Sequence, residues 1–444
     1  MKKRKFLLPV IVTLIGFIVW KNYPKLNLIS GYAAKNMASN HFIANRALTD
    51  IQEKDNDMPL VKLASLQESD STSVISSVNG LMPRESIYRE GLGCVLITDD
   101  YDKSQKLLKP KRTKVQNLKP FPYGNAGRKD TIFQNIDYDQ VNLAVSNAFA
   151  NYETQKTRTV LIAYKNEIIA ENYSEGFTKE TPILGWSMTK SVLATLYGIL
   201  EHQGEISMDY RPFADDLQVK NTKIGITLDH LLRMQSGLAW EEDYTKISDV
   251  TQMLFLDIDM TLAQAKKQPI APPTEIWNYS SGTTNLLSGI LRDQFQTHQD
   301  YLDFPYTDLI DKIGMHSMLL ETDMDGNFVG SSYGWANTRD WAKFGLLYLN
   351  KGMWNGERLF SEDWVDYITK PTAHSDGVYG AHFWLNSGGK FSDVPRDMYS
   401  ANGFQGQYVF VIPSKDLVVV RTGLAEDPEF DVNKFLSEIC ASVK

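Results

Sequence analysis

The spacing of apolar residues changes several times along the chain, and each change marks a predicted element. A period close to that of an α-helix predicts helices, while short runs rich in β-branched residues predict strands. In chain order the predicted elements are a helix over Tyr138–Tyr152, a hairpin of Thr159–Tyr164 with Glu167–Ala170, a hairpin of Gln407–Ile412 with Leu417–Arg421, and a closing helix over Asp431–Val443. Strands at both ends and helices between them predict an α+β fold, in which one antiparallel sheet lies beside a helical region.

The amino terminus has a different pattern, in which a basic cluster precedes an apolar run from Phe6 to Trp20. This combination is typical of an export signal. The run is short for a full membrane span, which needs about 17–25 residues, and Tyr23–Lys25 does not suit a cleavage site. We therefore expect residues 1–24 to be an uncleaved anchor, with a cleaved signal peptide as the alternative. Both interpretations predict an exported protein. An anchor would hold it in the cell membrane, facing the periplasm or the outside, and a cleaved signal peptide would leave it secreted.

The segment between this anchor and the main domain shows little regular patterning. Residues 25–75 are polar and rich in small side chains, which predicts a linker with one or two short helices. Residues 76–130 contain a strand-like run, Gly93–Thr98, and a basic stretch, Lys106–Lys119. We expect residues 25–130 to form a linker and a small accessory region, and residues 131–444 to form the main domain.

Composition and charge exclude several classes of function. Hydrophobic residues make up 43% of the chain and charged residues 23%, as in ordinary folded proteins. The net charge of −8 argues against a nucleic-acid partner. The two cysteines, Cys94 and Cys440, cannot form a disulfide scaffold, which leaves one disulfide or two buried free thiols. The histidines lack metal-ligand spacing, and a calcium-like stretch at Glu321–Gly326 lacks the closing glutamate, so neither a metal nor a cofactor is predicted.

A serine and a lysine three residues apart open an apolar helix. Apolar residues recur at helical spacing after Lys190, and Gly204 is placed to end the helix. Positions i and i+3 share a helix face, so Lys190 can reach the hydroxyl of Ser187. A serine hydroxyl needs a base to become a nucleophile, and a lysine can be that base when burial keeps it neutral. The alternative is a serine cap followed by a solvated lysine.

Two further segments suit the same chemistry. Tyr279 lies in a loop before a predicted helix over Thr283–Arg292, and a tyrosine near a cation can share a proton. Gly403 and Gly406 enter a strand and permit close backbone approach, so an amide there can complete an oxyanion hole with the amide of Ser187. The alternatives are a core tyrosine and a strand entry without a role.

Together and in this order, the three sites resemble the serine β-lactamase and penicillin-recognising superfamily. The nearest branch resembles the class C β-lactamase-related hydrolases, which include esterases, D-aminopeptidases and 6-aminohexanoate-dimer hydrolases. Two longer stretches, Ile226–Leu238 and Asn337–Gly345, are also similar to that family. The resemblance covers residues 140–444 and implies a β-lactamase-like fold, with an antiparallel sheet flanked by helices and a helical subdomain.

The resemblance also implies roles for individual residues. It makes Ser187 the acylated nucleophile, Lys190 the proton acceptor and Tyr279 the group that relays the proton to the leaving group. Ser281 stands where β-lactamases usually have asparagine, and it is expected to contact the substrate or the oxyanion.

The third motif departs from the family pattern. In the family a lysine or histidine usually precedes the threonine or serine and the glycine of this motif, but neither precedes Gly406 here. Gly403, Phe404 and Gln405 are expected to bind substrate, and the amide of Phe404 to be the second oxyanion donor. The departure resembles the dimer-hydrolase and esterase-like members, and it favours simpler amides or esters over β-lactams.

The sequence therefore predicts an exported serine hydrolase that cleaves a small-molecule amide or ester through an acyl-enzyme on Ser187. The aromatic-rich loops Trp240–Asp259 and Val378–Phe391 are expected to line its pocket. Two alternatives stay open. One is a penicillin-binding or β-lactamase-type enzyme, and the other is a membrane-tethered protein that binds cell-wall peptides without turnover.

Overall fold

The chain folds into two compact units. The first unit comprises the chain up to Gln105 together with Glu242–Ile258, and the second comprises Lys106–Glu241 with Asp259–Lys444. A computed structural model describes residues 16–17, 21–115, 117–124, 126–213, 223 and 225–444.

The expected anchor falls almost wholly outside that description. Of the apolar run Phe6–Trp20, the structure describes Gly16 and Phe17 alone. Among the described helices, none is both long and apolar enough to cross a membrane. Anchoring by residues 1–24 therefore stays a prediction from the sequence.

The regular elements are helices and mostly short strands. The α-helices are α1 (Lys25–Phe42), α2 (Leu48–Asp50), α3 (Tyr138–Phe149), α4 (Tyr152–Gln155), α5 (Met188–Gln203), α6 (Leu228–Leu232), α7 (Asp249–Leu256), α8 (Leu262–Ala265), α9 (Ser281–Arg292), α10 (His298–Pro305), α11 (Thr338–Leu349), α12 (Glu362–Thr369) and α13 (Val432–Ala441). The strands are β1 (Ser65–Ser69), β2 (Ser73–Val78), β3 (Leu81–Arg89), β4 (Gly93–Leu96), β5 (Thr157–Tyr164), β6 (Glu167–Tyr173), β7 (Ile183–Leu184), β8 (Leu319–Leu320), β9 (Gly334–Ala336), β10 (Met353–Trp354), β11 (Glu357–Arg358), β12 (Trp384–Leu385), β13 (Tyr399–Gly403), β14 (Gln407–Ile412) and β15 (Leu417–Gly423). Short π-helices lie at Ile51–Asp55 and Tyr306–Ile310, and short 3₁₀-helices at Val61–Leu63 and Pro413–Lys415.

The first unit is a four-stranded antiparallel sheet packed against helix α1. The strand order is β1-β2-β3-β4, and α1 contacts β2, β3 and β4. Gly31 allows this close approach, because a Cβ atom there would lie 3.3 Å from Leu96. Helix α7 comes from the distant segment and adds Phe255, whose ring centroid lies 4.9 Å from that of Tyr32. The central core residues are Met37, Ala38, Ile51, Val74 and Cys94.

The prediction of a linker over residues 25–75 is wrong. The small residues that suggested a loose segment, among them Ala33, Ala34 and Ala38, are fully buried in α1. A helix that is covered on several sides has no single apolar stripe, so the spacing of its residues gave no helical signal. The strand-like run that begins at Gly93 is confirmed as β4.

The two cysteines are both buried and free, Cys94 in the first unit and Cys440 in the second. The reading as free thiols is confirmed, and the alternative of a disulfide is wrong. The chain has no other cysteines, so no intramolecular disulfide stabilises either unit.

The second unit is built on a six-stranded antiparallel sheet of order β12-β13-β14-β15-β5-β6. Strand β15 pairs with β5, with Val420 opposite Leu161, so the two ends of the domain meet in mid-sheet. Helices α3 and α13 pack together on one face, where Val160 and Val419 belong to the main core. Helix α11 packs on the other face, and Gly345 there lies so close that a Cβ atom would be 2.7 Å from Val418.

The structure confirms the predicted α+β fold and both hairpins. Lys165 and Asn166 form the first turn with φ of 48° and 64°, as a two-residue hairpin turn requires. The closing helix and the helix after Ser187 are also confirmed, and Gly204 ends the latter with a φ of 77°. The basic stretch Lys106–Lys119, expected in the accessory region, falls in the second unit.

Candidate active site

Ser187 lies at the amino end of α5, in a turn whose backbone is tightly constrained. Trp186 before it has a φ of 47°, a left-handed conformation that is strained for a bulky residue. Gly185 cannot carry a side chain, because a Cβ atom would lie 2.4 Å from the ring of Trp341. The amide of Gly185 donates to the carbonyl of Gly334 over 2.8 Å. The turn therefore presents the half-buried Ser187 at a helix amino terminus, where the helix dipole favours negative charge.

Lys190 follows one turn later and is 1% exposed. Its Nζ lies 2.8 Å from Ser187 Oγ, 3.0 Å from Ser281 Oγ and 2.9 Å from the carbonyl oxygen of Ser331. The expected contact between lysine and serine is present, and the alternative of a solvated lysine is wrong. Three short contacts fix the amine in one place.

These three partners differ in what they can do with a proton. The carbonyl of Ser331 can only accept, whereas a serine hydroxyl can donate or accept. A neutral amine can therefore donate its two N–H groups to Ser331 and Ser281 while its lone pair accepts the O–H of Ser187. The arrangement can take a proton from Ser187 without any rearrangement of Lys190.

Tyr279 lies beside this network, just before α9. Its ring centroid is 4.9 Å from Lys190 Nζ, and it contacts the rings of Trp384 at 5.3 Å and Tyr379 at 5.7 Å. Ser280 caps α9 by accepting from the amide of Thr283 over 2.9 Å, which fixes the backbone after the tyrosine. Aromatic contacts and a helix cap thus hold the phenol next to the lysine.

Aromatic side chains form a wall around Tyr279. Trp277 contacts Tyr379 at 5.4 Å and Trp384 at 6.4 Å between ring centroids. Trp240 packs so closely on α9 that a Cβ atom on Gly282 would lie 2.4 Å from its ring. The loop Val378–Phe391 therefore contributes to this wall, as expected. The other loop expected to line the pocket, Trp240–Asp259, contributes Trp240. Its residues Glu242–Ile258 belong to the first unit, where Phe255 packs on α1.

The end of β13 lies directly against the turn that holds Ser187. A Cβ atom on Gly403 would lie 2.0 Å from the carbonyl oxygen of Gly185, so no other residue fits there. The ring of Phe404 meets that of Trp186 edge-on at 5.6 Å. Steric crowding thus explains why a glycine stands at the end of β13. The close approach brings the backbone near Phe404 to the turn that holds Ser187.

Two buried side chains fix the turn that follows β13. Gln405 and Gly406 have φ of 62° and 80°. The side chain of Gln407 donates to the carbonyls of Phe404 over 3.2 Å and Gly423 over 2.6 Å. Arg421 is fully buried and donates to the carbonyl of Gly406 over 2.8 Å, and burial lowers the pKa of its guanidinium to about 9. Sequence reasoning missed both residues, because each one looks like an ordinary polar residue in a strand.

His382 is a third residue that sequence reasoning did not place at the site. It is buried beside α9, and burial lowers its pKa to about 3, so the imidazole is neutral. Its Nδ1 lies 2.6 Å from the carbonyl of Leu232 and its Nε2 lies 3.0 Å from the hydroxyl of Thr284. Since a carbonyl can only accept, Nδ1 carries the hydrogen and Nε2 accepts. Both ring nitrogens therefore hold neighbouring segments in place, which is a structural role.

A carboxylate of the calcium-like stretch accepts hydrogen bonds from backbone amides outside the stretch. Asp323 accepts from the amides of Met260 and Asn327 over 3.0 Å and 2.9 Å, and burial raises its pKa to about 7. No group of acidic, histidine or cysteine side chains in the described part of the chain could hold a metal ion. The carboxylate serves to fix a loop.

The predicted site residues are therefore assembled in one place. Lys190 contacts Ser187 and Ser281 directly, and Tyr279 lies beside it. Gly403, Phe404 and Gln405 follow one another at the end of β13, next to the turn before α5. The catalytic and binding roles assigned to these residues stay predictions.

The chain matches known proteins over the same region. A family model described as Beta-lactamase matches residues 149–433. A 6-aminohexanoate-dimer hydrolase from Paenarthrobacter ureafaciens is 23% identical over 309 residues, which are 62% of this chain and 74% of that protein.

Solved structures share the fold at low sequence identity. A family VIII carboxylesterase is 16% identical with a TM-score of 0.56, covering 71% of this chain and 98% of that one. A penicillin-binding protein homologue from Caulobacter crescentus is 15% identical with a TM-score of 0.55, covering 71% of this chain and 99% of that one. The 6-aminohexanoate-dimer hydrolase indicates a family of hydrolases. Since the family model matches more than half of the residues, this chain belongs to the beta-lactamase family.

Proposed function

We propose that this protein is an exported serine hydrolase that cleaves an amide or ester bond through an acyl-enzyme on Ser187. The observation that carries the proposal is that Ser187, half-buried at the amino end of α5, has its Oγ 2.8 Å from the buried Nζ of Lys190. A hydroxyl paired with a base that is itself held by two further acceptors is the usual arrangement of an activated nucleophile.

In the proposed acylation step, Lys190 takes the proton of Ser187 as the oxygen attacks the substrate carbonyl. The developing oxyanion is stabilised by the backbone amides of Ser187 and Phe404. The close approach of Gly403 to Gly185 supports this assignment, because it brings two backbone segments together at the turn. Preorganised amides of this kind typically contribute about 10²–10³ in rate each.

Tyr279 is assigned the transfer of that proton to the leaving group. Its position beside Lys190 supports the assignment, since a phenol there can donate to a departing amine or alkoxide and recover the proton from the lysine. Water then attacks the acyl group with the same residues acting in reverse, and hydrolysis returns Ser187 to its starting state.

The substrate class is inferred from the walls of the site and from the third motif. The aromatic wall of Trp277, Tyr379 and Trp384 favours an apolar acyl or leaving group. In the turn after β13 neither a lysine nor a histidine precedes Gly406, and this departure from the family pattern favours simpler amides or esters over β-lactams. The related 6-aminohexanoate-dimer hydrolase and carboxylesterase support linear amides or esters as the class.

Export and membrane attachment are proposed on the sequence of residues 1–24. The basic cluster before Phe6–Trp20 supports insertion with the basic end in the cytoplasm and the hydrolase outside. The substrate would then be an extracytoplasmic small molecule.

A fluorophosphonate probe tests the nucleophile. The full-length protein is expected to be labelled at Ser187, as identified by peptide mapping, and Ser187→Ala is expected to abolish the label. Ser414→Ala is the control, because this exposed serine contacts a carboxylate, Asp397, instead of a lysine. Labelling that persists in Ser187→Ala would contradict the proposal that Ser187 is the nucleophile.

A substrate panel then separates the hydrolase from its alternatives. Turnover of short esters or linear amides, without turnover of nitrocefin, supports the proposed class. Turnover of nitrocefin, or lasting attachment of a fluorescent penicillin, would favour a β-lactamase or penicillin-binding enzyme. An acyl group that stays bound in intact-mass spectra for every compound would favour a binding protein without turnover.

A further inference from the structure

The first unit contains a pocket of its own, about 250 Å³ in volume. Three separate segments line it: the start of α1, the stretch around Leu60, and the inserted segment from Tyr244 to Phe255. All of these residues belong to the first unit. The pocket shares no residue with the candidate active site, whose residues belong to the second unit.

The lining is apolar inside and cationic at exposed positions. Leu28, Ile29 and Val61 contribute aliphatic surface, and Leu60 and Ile247 line it while 50% and 39% exposed. The charged residues of the lining are two exposed lysines. They are Lys25 and Lys246, and the latter has the carboxylate of Asp243 at 3.4 Å.

This combination matches an amphiphile with an anionic head. An apolar chain can replace water against the aliphatic lining, and lysine side chains attract the phosphate of an anionic lipid. The volume is smaller than the roughly 300–1,000 Å³ of pockets that enclose a drug-sized ligand. The pocket therefore suits one chain of a larger molecule whose head stays outside.

The position of the pocket in the chain indicates where that molecule comes from. Lys25 follows Trp20, the end of the apolar run, by five residues. Five residues reach at most about 18 Å when fully extended. If Phe6–Trp20 inserts into the membrane as proposed above, Lys25 cannot be far from the lipid headgroups.

We propose that this pocket binds an acyl chain of an anionic phospholipid of the membrane that holds the anchor. Lys25 and Lys246 lie near the phosphate, and Ile29, Leu60 and Ile247 contact the chain. The proposal rests on the proposed anchor but not on the hydrolase mechanism. In this proposal the function of the first unit is to bind the enzyme to the membrane surface.

Photocrosslinking tests the proposal with the full-length protein. The protein is reconstituted in vesicles of equal parts phosphatidylcholine and phosphatidylglycerol, with a diazirine in the acyl chain of the phosphatidylglycerol. Adducts are expected on peptides that contain Ile29, Leu60 and Ile247. Lys25→Glu should lower the yield of these adducts at least about fivefold, the effect expected for one lost lysine–membrane contact. Ile247→Glu should also lower the yield, because it places a carboxylate against the apolar chain.

Two matched variants serve as controls. Ile258→Glu alters an exposed isoleucine of the first unit that does not line the pocket, and Lys54→Glu reverses an exposed charge of the same unit. Both should leave the pocket adducts unchanged. Since Lys25 is exposed, its variant keeps the test valid even if Ile247→Glu disturbs folding.

The remaining outcomes each overturn part of the proposal. Adducts confined to Phe6–Trp20 would show an anchor without a lipid in the pocket. The absence of any adduct would overturn the anchor as well. Equal pocket yields when the diazirine is carried by phosphatidylcholine alone would overturn the preference for an anionic head.

Discussion

Each unit of this protein contains a buried lysine in contact with a serine hydroxyl. In the first unit, Lys35 donates to Ser39 over 2.8 Å, and in the second unit Lys190 contacts Ser187 over the same 2.8 Å. Both lysines lie on helices and are at most 6% exposed. The distance between the two groups therefore does not distinguish a catalytic pair from a structural one.

The surroundings of the two serines differ. Ser39 lies inside α1 and is 2% exposed, so a substrate cannot reach its hydroxyl. Ser187 lies just before α5, is half-buried and follows the strained Trp186. Reactivity thus requires access and nearby backbone amides in addition to a base, and the following variants test that distinction.

The largest expected effect comes from the two serines themselves. Ser187→Ala should lower kcat/KM by roughly 10⁴-fold or more, because it removes the attacking atom. Ser39→Ala removes a similar contact and should leave the kinetic constants unchanged. Initial rates on the best ester of the panel measure both, and a large loss of activity in Ser39→Ala would contradict the comparison.

The lysines give the next test. Lys190→Met should lower kcat by about 10³-fold, within the range for loss of a general base. Lys35→Met should change thermal stability without lowering kcat. Activity and melting temperature are measured on the same preparations, and a Lys190→Met variant that keeps a tenth or more of the wild-type kcat would remove Lys190 from the mechanism.

Tyr279→Phe should lower kcat by roughly 10²-fold while leaving the aromatic packing intact. The loss should be greater for an anilide than for a nitrophenyl ester, because the amine leaving group needs a proton. Tyr379→Phe is the control, since its ring packs on Tyr279 at 5.7 Å. Equal losses for both substrates would contradict proton delivery to the leaving group by Tyr279.

The turn after β13 depends on Arg421 as a positioning residue. Arg421→Lys should lower kcat about tenfold with a small change in KM, because an ammonium cannot reproduce the planar fork with which the guanidinium donates to the carbonyls of Gly406, Ala425 and Gln155 at once. Arg233→Lys alters another buried arginine, which donates to the carbonyls of Tyr367 and Lys370. It should lower stability but not kcat, and an equal loss of kcat would mean that Arg421 has a general structural role.

The smallest expected effect concerns acid stability. The folded pKa of His382, about 3, lies below its ordinary 6.5, so the unfolded state binds more protons between these values and stability falls as the pH falls. Between pH 7 and 5 this histidine should lower the free energy of unfolding by about 2 kcal/mol. His382→Asn should remove that part of the pH-dependent loss. Asparagine also tolerates the φ of 59° at this position.

Urea unfolding at both pH values measures the difference between wild type and variant. Tryptophan fluorescence suits the second unit, because eight of the chain's nine tryptophans belong to it. Identical acid sensitivity in the two proteins would contradict the shifted pKa.

The sequence was most informative where local patterns and long motifs agree. The hairpin at Lys165 and Asn166, the helix after Ser187 and the juxtaposition of Lys190 with Tyr279 were all anticipated. Each depends on a periodicity or on a turn chemistry that neighbouring residues specify.

The missed features depend on tertiary contacts. Helix α1 is buried by a sheet that forms later in the chain, so its small residues looked like a linker. The carbonyl of Ser331 holds Lys190 through backbone geometry, which no residue type encodes. Arg421 reaches Gly406 across two strands, and its role emerges only when the sheet is formed.

The pairing of β15 with β5 has a consequence for biosynthesis. The hairpin of β5 and β6 has to wait for a strand that ends at Gly423, near the carboxyl terminus. At translation rates of 5–20 residues per second, the delay is roughly 10–50 s. During that time the central sheet cannot close, and the edge of β5 that later pairs with β15 keeps its backbone N–H and C=O groups unpaired.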